Sequence, residues 1–190
     1  MRVLIFHGYL LHGTGSNVYN AELATALAAL GHEVHLVCQD REAFGADGVT
    51  VHNPDIGRLL PVYVADSYPG FDARPFVECS QAEVESYVQR NAAAVRGVAA
   101  RVRPDVALAN HLIMGPAILA RGLGGGVPYA VKVHGSALEY VVKRHPERFL
   151  PWAREGLAGA RGVLVGSRHT AESLWAAMDD DALPARTRLG

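Results

Sequence analysis

Short apolar runs alternate along the chain with stretches in which apolar residues recur at helical spacing. The runs cover residues 3–6, 33–38, 105–109, 129–133 and 162–165. Such alternation is typical of βαβ units around a parallel sheet. We therefore predict an α/β fold, a Rossmann-like parallel sheet with helices on both faces, built as a single domain over residues 1–190.

The first predicted helix follows the glycine-rich loop of residues 8–15 and begins with Ser16 as its N-cap. Gly31 is suited to end this helix, because glycine readily adopts the left-handed conformation of a helix C-terminus. The spacing predicts an apolar buried face on this helix, consisting of Tyr19, Leu23, Ala26, Leu27 and Leu30.

Further helices are predicted over residues 80–102 and 113–121, around residues 152–157, and from residue 167 to about residue 178. Ser80 and Glu83 have the spacing of a capping box, and Pro104 prevents the helix that they open from continuing. Residues 41–80 are broken by Gly, Pro and Asp, so we expect only one or two short strands and a long loop there.

Composition and charge narrow the class of protein. Hydrophobic residues make up 49% of the 190 residues, enough for a self-supporting core. The formal net charge of −1 provides no field that would attract a nucleic acid. Cys38 and Cys79 are too few for a disulfide framework, and no apolar run is long enough to span a bilayer. We expect a soluble, cytoplasmic protein without an integral membrane segment.

The loop after the first predicted strand is the leading candidate for a binding site. It is glycine-rich at the point where an α/β sheet forms its ligand crevice, and its backbone N–H groups open a helix that attracts anions. Three interpretations stay open: a tight turn, an anion or sugar site, and a nicotinamide or flavin site. The nicotinamide or flavin interpretation is disfavoured because Val18 stands where a dinucleotide-binding fingerprint needs a third glycine. Asp40 is a partial substitute for the acidic residue of that fingerprint.

Polar residues also follow other predicted strands. His134 and Gly135 come after one, Asn110 and His111 after another, and Ser167 after the last. The carboxyl ends of parallel strands share one edge, so these groups are predicted to face the same crevice. The alternative for His134 is a buried histidine that hydrogen-bonds to the backbone.

Two further patterns are less specific. The nine histidines have no metal-ligand spacing completed by cysteine or carboxylate, so we expect no metal site. Residues 63–76 are rich in aromatic side chains interrupted by proline and glycine. This segment is either a surface loop, a cover over an acceptor site, or a contact with a membrane surface.

Taken in order along the chain, these features resemble the N-terminal half of a retaining GT-B glycosyltransferase of family four. The resemblance covers almost the whole chain. It is carried by the segments 3–6, 13–18, 27–34, 104–108, 127–129, 133–135 and 163–167.

The resemblance implies an enzyme of hexosyltransferase type, with two Rossmann-like domains and an active site in the cleft between them. This half would bind the acceptor, a small molecule or glycan, and the other half would bind most of the nucleotide sugar. By the same analogy, His134 would hydrogen-bond the transferred sugar as the catalytic residue. The donor phosphate and sugar would lie against Gly13, Thr14, Gly15 and Ser16, and the acceptor or sugar would contact Asn17, Asn110, His111 and Glu139.

Such enzymes generally need no metal or other cofactor, because helix dipoles and basic side chains neutralise the leaving diphosphate. The nucleotide-sugar domain is absent from this chain, and the interdomain linker would begin at about residues 186–190. We therefore expect the chain alone to be inactive and monomeric or weakly homodimeric. The alternatives are an NAD(P)-dependent oxidoreductase domain and a non-catalytic ligand-binding domain.

Overall fold

The computed structural model describes residues 1–41, 45–64 and 66–190. Its elements follow one another in the order β1 (Arg2–Phe6), α1 (Gly15–Ala29), β2 (Glu33–Val37), β3 (Val49–His52), β4 (Leu59–Val62), β5 (Asp72–Pro75), α2 (Gln81–Val102), β6 (Val106–Asn110), α3 (Gly115–Leu123), β7 (Tyr129–Val133), a π-helical turn (Ala137–Val142), α4 (Pro146–Ala158), β8 (Gly162–Val165), α5 (Arg168–Met178), α6 (Leu183–Arg186) and β9 (Thr187–Leu189).

Seven strands form one parallel sheet in the order β3-β2-β1-β6-β7-β8-β9. The order reverses between β1 and β6, where Val3 pairs with Val106 and Phe6 with Ala109. Helices flank both faces, so the predicted Rossmann-like class is confirmed. In sheets of this kind the ligand crevice lies outside the carboxyl ends of the strands at such a reversal.

Alternate residues of the central strands build two separate cores. Leu4 and Phe6 point to the larger core, which α2, α3, α4 and α5 cover, whereas Val3 and Ile5 point to a smaller core beneath α1. The two sets alternate because successive side chains of a strand face opposite sides of the sheet. Strands buried on both faces explain why these runs are almost continuously apolar.

Helix α1 differs from its prediction at its N-terminus and on its buried face. Thr14, not Ser16, is the N-cap, and its hydroxyl accepts from the backbone N–H of Asn17 at 3.4 Å. The fully buried helical residues are Asn17, Asn20 and Ala24, while Leu30 is 74% exposed. Of the predicted apolar face, Leu23 and Leu27 pack partly buried against the smaller core, whereas Ala26 and Leu30 are exposed.

Helix α3 lies two residues later than predicted and α4 begins at Pro146, well before residues 152–157, but two other predicted helix ends are confirmed. Gly31 has a φ of +83°, and the N–H groups of Gly31 and His32 donate to the carbonyls of Ala28 and Leu27 in a Schellman motif. At the start of α2 the Ser80 hydroxyl accepts from the Glu83 N–H at 3.2 Å, and the Glu83 carboxylate accepts from the Ser80 N–H at 2.7 Å. This is the expected capping box.

The described residues between 41 and 80 form three short strands where one or two were expected. Strand β3 joins the main sheet beside β2, and β4 and β5 form a separate parallel pair. The chain end also differs from the prediction of a linker, because β9 pairs with β8 at the edge of the main sheet. Cys38 and Cys79 are both free and buried.

Two glycines of α3 and α4 allow these helices to pack closely. A Cβ on Gly156 would lie 2.4 Å from the Cβ of Pro116, and one on Gly122 would lie 2.7 Å from a methyl carbon of Val95. Contacts this short are not possible between real side chains, so the α2-α3-α4 layer requires glycine at both positions.

Candidate functional site

The predicted polar residues gather at the carboxyl edge of the sheet around the β1/β6 reversal. His7 follows β1, Asn110 ends β6, His111 comes next, and His134 follows β7. The N-terminus of α1 faces the same edge, since Asn17 and Asn20 on its first turns hydrogen-bond directly to His7. The β1 and β6 register therefore brings residues more than a hundred positions apart into one site.

Five of these side chains form a continuous chain of hydrogen bonds, which we call the polar relay: His134, Asn110, Asn20, His7 and Asn17. His134 Nε2 lies 3.2 Å from Asn110 Oδ1, and Asn110 Nδ2 donates to Asn20 Oδ1 at 2.5 Å. Asn20 Nδ2 in turn lies 3.1 Å from His7 Nδ1, and His7 Nε2 lies 2.8 Å from Asn17 Oδ1.

The asparagines determine where the histidine protons lie. Because the Asn20 amide donates to His7 Nδ1, that nitrogen is an acceptor and the proton is on Nε2. The same reasoning assigns the proton of His134 to Nε2, which donates to Asn110 Oδ1. At the far end, Asn17 Nδ2 donates to the His12 carbonyl at 2.6 Å and so ties the relay to the glycine-rich loop.

Burial keeps the histidines of the site neutral. It is the main cause that lowers the pKa of His7 from 6.5 to about 4, against an opposing effect of the hydrogen bond to Asn17. Burial and the charge of Lys132 lower the pKa of His134 to about 4. Burial places the pKa of His111 well below its usual value. Each imidazole therefore offers both a donor and an acceptor nitrogen at neutral pH.

The glycine-rich loop presents backbone atoms to open space. A Cβ built on Gly13 or Gly15 would meet no atom within 4 Å, and the same is true of Gly135 on the neighbouring loop. Gly13 has a φ of +90°, whereas Gly15 has no such conformational need. The N–H groups of Gly15 and Ser16 lie in the first turn of α1, where the helix itself supplies no acceptor.

His111 and the aromatic segment form one wall of the site. The His111 ring lies 4.3 Å from the Tyr63 ring and 4.9 Å from the His134 ring, measured between centroids. Tyr63 also packs on Phe76 at 5.2 Å, so the aromatic side chains of this segment pack against the core, whereas most of its other described residues are exposed. His111 has a φ of +66°.

Glu139 stands apart from the polar relay. It lies on the π-helical turn, where its carboxylate binds Lys143 Nζ at 2.7 Å and accepts from the Ser173 hydroxyl at 2.6 Å. These partners lower the pKa of the Glu139 carboxyl. Of the eight other predicted site residues, the relay contains Asn17, Asn110 and His134, and the loop and wall contain Gly13, Thr14, Gly15, Ser16 and His111.

Asp40, considered above as a partial substitute in a dinucleotide fingerprint, has a structural role in this fold. Its buried carboxylate accepts from the Leu11 N–H at 2.9 Å and pairs with His12 Nδ1 at 3.1 Å. It thereby anchors the glycine-rich loop to the end of β2. Within residues 1–41, 45–64 and 66–190, no group of three or more His, Cys, Asp or Glu side chains is arranged to hold a metal ion.

Sequence reasoning missed His7 and Asn20. Asn20 was hidden because its turn of α1 was expected to bury apolar side chains. The available signal was the pair Asn17 and Asn20, three residues apart, since a helix places such residues on the same face. His7 directly follows a buried strand, as His111 and His134 do, and that shared position was the signal for it.

A doubly wound parallel sheet, with a relay of neutral polar side chains and an open glycine-rich loop at its topological switch point, defines the class as a Rossmann-like α/β domain. Residues 14–184 match the family model described as "Glycosyl transferase 4-like domain". The chain therefore belongs to the glycosyl transferase 4-like domain family, as the resemblance implied.

Solved structures share the fold at low sequence identity. Sucrose-phosphate synthase from Thermosynechococcus elongatus is 17% identical over 99% of this chain and 47% of its own, with a TM-score of 0.61. A Listeria monocytogenes protein, provisionally assigned as UDP-N-acetylglucosamine 2-epimerase, is 15% identical over 98% and 44%, with a TM-score of 0.61.

A third structure is the UDP-GlcNAc 2-epimerase of Neisseria meningitidis bound to UDP-GlcNAc, 12% identical over 100% of this chain and 45% of its own, with a TM-score of 0.55. The chain thus spans less than half the length of these three proteins. A search of curated protein sequences finds no match. No helix in the described part of the chain combines the length and apolarity needed to cross a membrane.

Proposed function

We propose that residues 1–190 are the acceptor-side half of a glycosyltransferase that takes its sugar from a nucleotide sugar, with a second domain supplying most of the donor site. Family membership supports glycosyltransferase chemistry in general. The observation that carries the proposal of sugar transfer from a nucleotide sugar is the polar relay, which ends at His134. The glycines beside it leave the carboxyl edge of the sheet open to a ligand.

The donor diphosphate is assigned to the N-terminus of α1. The N–H groups of Gly15 and Ser16 and the positive end of the dipole of a 15-residue helix favour an anion there. Within the chain, neither the φ of Gly15 nor its neighbouring atoms explain why this residue is glycine. A diphosphate that approaches the backbone closely at this position would explain it, because only glycine leaves that space free. Helix dipole and backbone donors reduce the need for a metal at the leaving group.

His134 is assigned to the transferred sugar. Its Nε2–H is committed to Asn110, so the remaining nitrogen, Nδ1, can accept from a sugar hydroxyl. Asn110, Asn20 and His7 hold the ring in this tautomer, and Asn17 connects the ring to the diphosphate loop through His7. In this proposal Asn17 and Asn110 act as positioning residues and His111 faces the acceptor.

Glu139 is the least supported of the proposed contacts with sugar or acceptor. Lys143 and Ser173 hold its carboxylate. In the proposed enzyme it would meet a ligand only at the edge of the cleft. The two domains together would hold anomeric carbon, leaving diphosphate and acceptor hydroxyl in near-attack geometry, which is the main catalytic contribution expected of such a cleft.

The test compares two glycine variants in the full-length product of the gene that encodes this chain. Gly15→Val would place a branched side chain where the diphosphate is proposed to lie, whereas Gly97→Val changes a glycine of α2 whose Cβ would meet only the far end of Arg101, at 3.6 Å. Titration calorimetry with UDP-glucose, UDP-GlcNAc and GDP-mannose identifies the donor.

We expect Gly15→Val to weaken donor binding by about tenfold or more, equivalent to about 1.4 kcal/mol, and Gly97→Val to leave it unchanged. A folded Gly15→Val variant with the parent's donor affinity would remove the loop from the donor site. Absence of transfer by the full-length product from any donor that it binds would contradict the proposed function itself.

A further inference from the structure

A cavity of about 230 Å³ adjoins the proposed donor loop. The loop of residues 14–16 lies on one side of it, and the residues at the end of β4 and just after it lie on the other. Its walls carry three tyrosines, Tyr9, Tyr63 and Tyr68, and three small hydroxyl side chains, Thr14, Ser16 and Ser136. Thr14 and Ser16 belong to the proposed diphosphate site, and Ser136 comes two residues after His134. A ligand here would lie next to the transferred sugar.

The tyrosine rings are packed into a fixed aromatic wall. The Tyr9 ring lies 6.0 Å from that of Tyr63 and 5.9 Å from that of Tyr68. The Tyr9 hydroxyl donates to the Pro61 carbonyl at 2.7 Å, and the Tyr63 hydroxyl donates to the Ile113 carbonyl. Because the hydroxyls of Tyr9 and Tyr63 are already hydrogen-bonded, these two residues offer mainly ring surface to a ligand. Such a surface suits the C–H face of a ring-shaped ligand.

The charges around the cavity disfavour an anion. Its described lining contains no lysine or arginine, and Asp66 is its one carboxylate. His111 stays neutral because burial keeps its pKa well below the usual value. Recognition of a phosphorylated group relies on Arg, Lys or clustered N–H donors. The donors nearest to this cavity, at the N-terminus of α1, are those that the proposed function assigns to the sugar nucleotide.

His111 provides a second, independent observation. The residue is 3% exposed, and neither ring nitrogen has a hydrogen-bond partner among the described residues. Buried polar atoms are rarely left unpaired. A neutral imidazole has one donor and one acceptor nitrogen, and hydroxyl groups, which both donate and accept, can satisfy both.

We propose that this cavity binds the acceptor, and that the acceptor is an uncharged, single-ring polyhydroxylated compound, a monosaccharide or cyclitol. Its apolar face would lie on the tyrosine wall and its hydroxyls would meet His111 and the small hydroxyl side chains. The volume of about 230 Å³ lies below the roughly 300–1,000 Å³ typical of sites for drug-sized ligands, so the part of the cleft that this chain supplies suits a single ring. This proposal rests on the proposed function.

The binding test uses the 190-residue chain itself, whose two cores close within it. Saturation-transfer NMR and chemical-shift titration would compare methyl α-D-glucopyranoside and myo-inositol with glucose 6-phosphate and myo-inositol 1-phosphate. We expect at least one uncharged probe to bind about tenfold more tightly than its phosphorylated counterpart, with the largest saturation transfer on its ring C–H protons. Tighter binding of the phosphates, or no binding by either uncharged probe at 50 mM, about the weakest affinity that such titrations detect, would overturn the proposal.

Two variants place the binding at this cavity. His111→Phe keeps a ring in the core but removes both nitrogens, so we expect binding of the uncharged probe to fall about tenfold while the melting temperature does not fall. Val64→Lys adds a cation at the cavity mouth, where Val64 is 55% exposed, and should raise affinity for glucose 6-phosphate about fivefold.

Val77→Lys is the matched control, because Val77 is also exposed, at 38%, but does not line the cavity. Equal effects of Val64→Lys and Val77→Lys on phosphate binding, together with unchanged sugar binding by His111→Phe, would refute the assignment. The two proposals fail separately. Transfer by the full-length product only to phosphorylated acceptors would overturn the acceptor class and leave glycosyl transfer standing. Binding of an uncharged probe in this cavity without any transfer would overturn the proposed function and leave a site for an uncharged ring that is not an acceptor site.

Discussion

Lowering the pH should destabilise the chain through His7, because this histidine is folded in its neutral form. His7 is 2% exposed, and its Nδ1 accepts from the Asn20 amide at 3.1 Å. A proton on Nδ1 would face the hydrogens of that amide, so protonation would break the polar relay at its centre. The unfolded chain has no such restriction and takes up the proton at the ordinary pKa.

The magnitude follows from the pKa of His7, which falls from 6.5 to about 4 on folding. Because the folded pKa is lower, the unfolded state binds more protons between these values, and the stability present above pH 6.5 is lost as the pH falls toward 4. Linkage gives a loss from His7 of about 2 kcal/mol at pH 5 and about 3 kcal/mol at pH 4. His111 and His134, whose pKa values are also lowered, act in the same direction.

The assay is urea unfolding of the 190-residue chain at pH 7.5 and at pH 5, followed by circular dichroism. His7→Gln removes the titrating group, and His169→Gln changes an exposed histidine as the control. His7→Gln lowers stability at both pH values, so the informative quantity is the difference between them. That difference should be about 2 kcal/mol smaller in His7→Gln than in the parent and in His169→Gln. Equal differences in all three proteins would refute the assignment of a neutral, buried His7.

Three further predictions concern activity and packing. In the full-length product, His134→Ala should lower turnover about a hundredfold, the usual loss for one positioned hydrogen bond in a transition state, with little change in melting temperature; turnover within about threefold of the parent would make His134 a structural residue. Gly156→Ala should lower the free energy of unfolding by about 2 kcal/mol or more in urea, because the new Cβ would lie 2.4 Å from Pro116. Gly135→Ala is the control, since its Cβ would meet no atom within 4 Å. Similar unfolding midpoints for both variants would show that α3 and α4 are less tightly packed. The 190-residue chain alone should transfer no sugar from nucleotide sugars to methyl α-D-glucopyranoside or myo-inositol, since it supplies only one wall of the proposed cleft. Turnover by this chain alone would refute the half-enzyme interpretation.

Local rules determined much of the architecture from the sequence alone. The apolar runs at β1, β2, β6, β7 and β8 are strands because residues buried on both faces of a parallel sheet need no polar alternation. The capping box at Ser80 and the left-handed Gly31 set helix ends through contacts within a few residues, which is why both were predictable. The residue segments that carry the resemblance, taken in their order along the chain, also indicated the glycosyltransferase family.

The tertiary structure decided what depends on contacts between distant segments. Strands β3 and β9 are short and exist because an edge of the main sheet is available to each of them. Asn20 is linked to His134 because β1 and β6 pair, which brings Asn110 Nδ2 to 2.5 Å from Asn20 Oδ1 across ninety positions. The neutral state of His7 and the tautomer of His134 likewise follow from burial and from partners on other elements. The sequence could therefore indicate which strand ends carry polar groups, but only the packing of β1, β6, β7 and α1 determines which of those groups share protons.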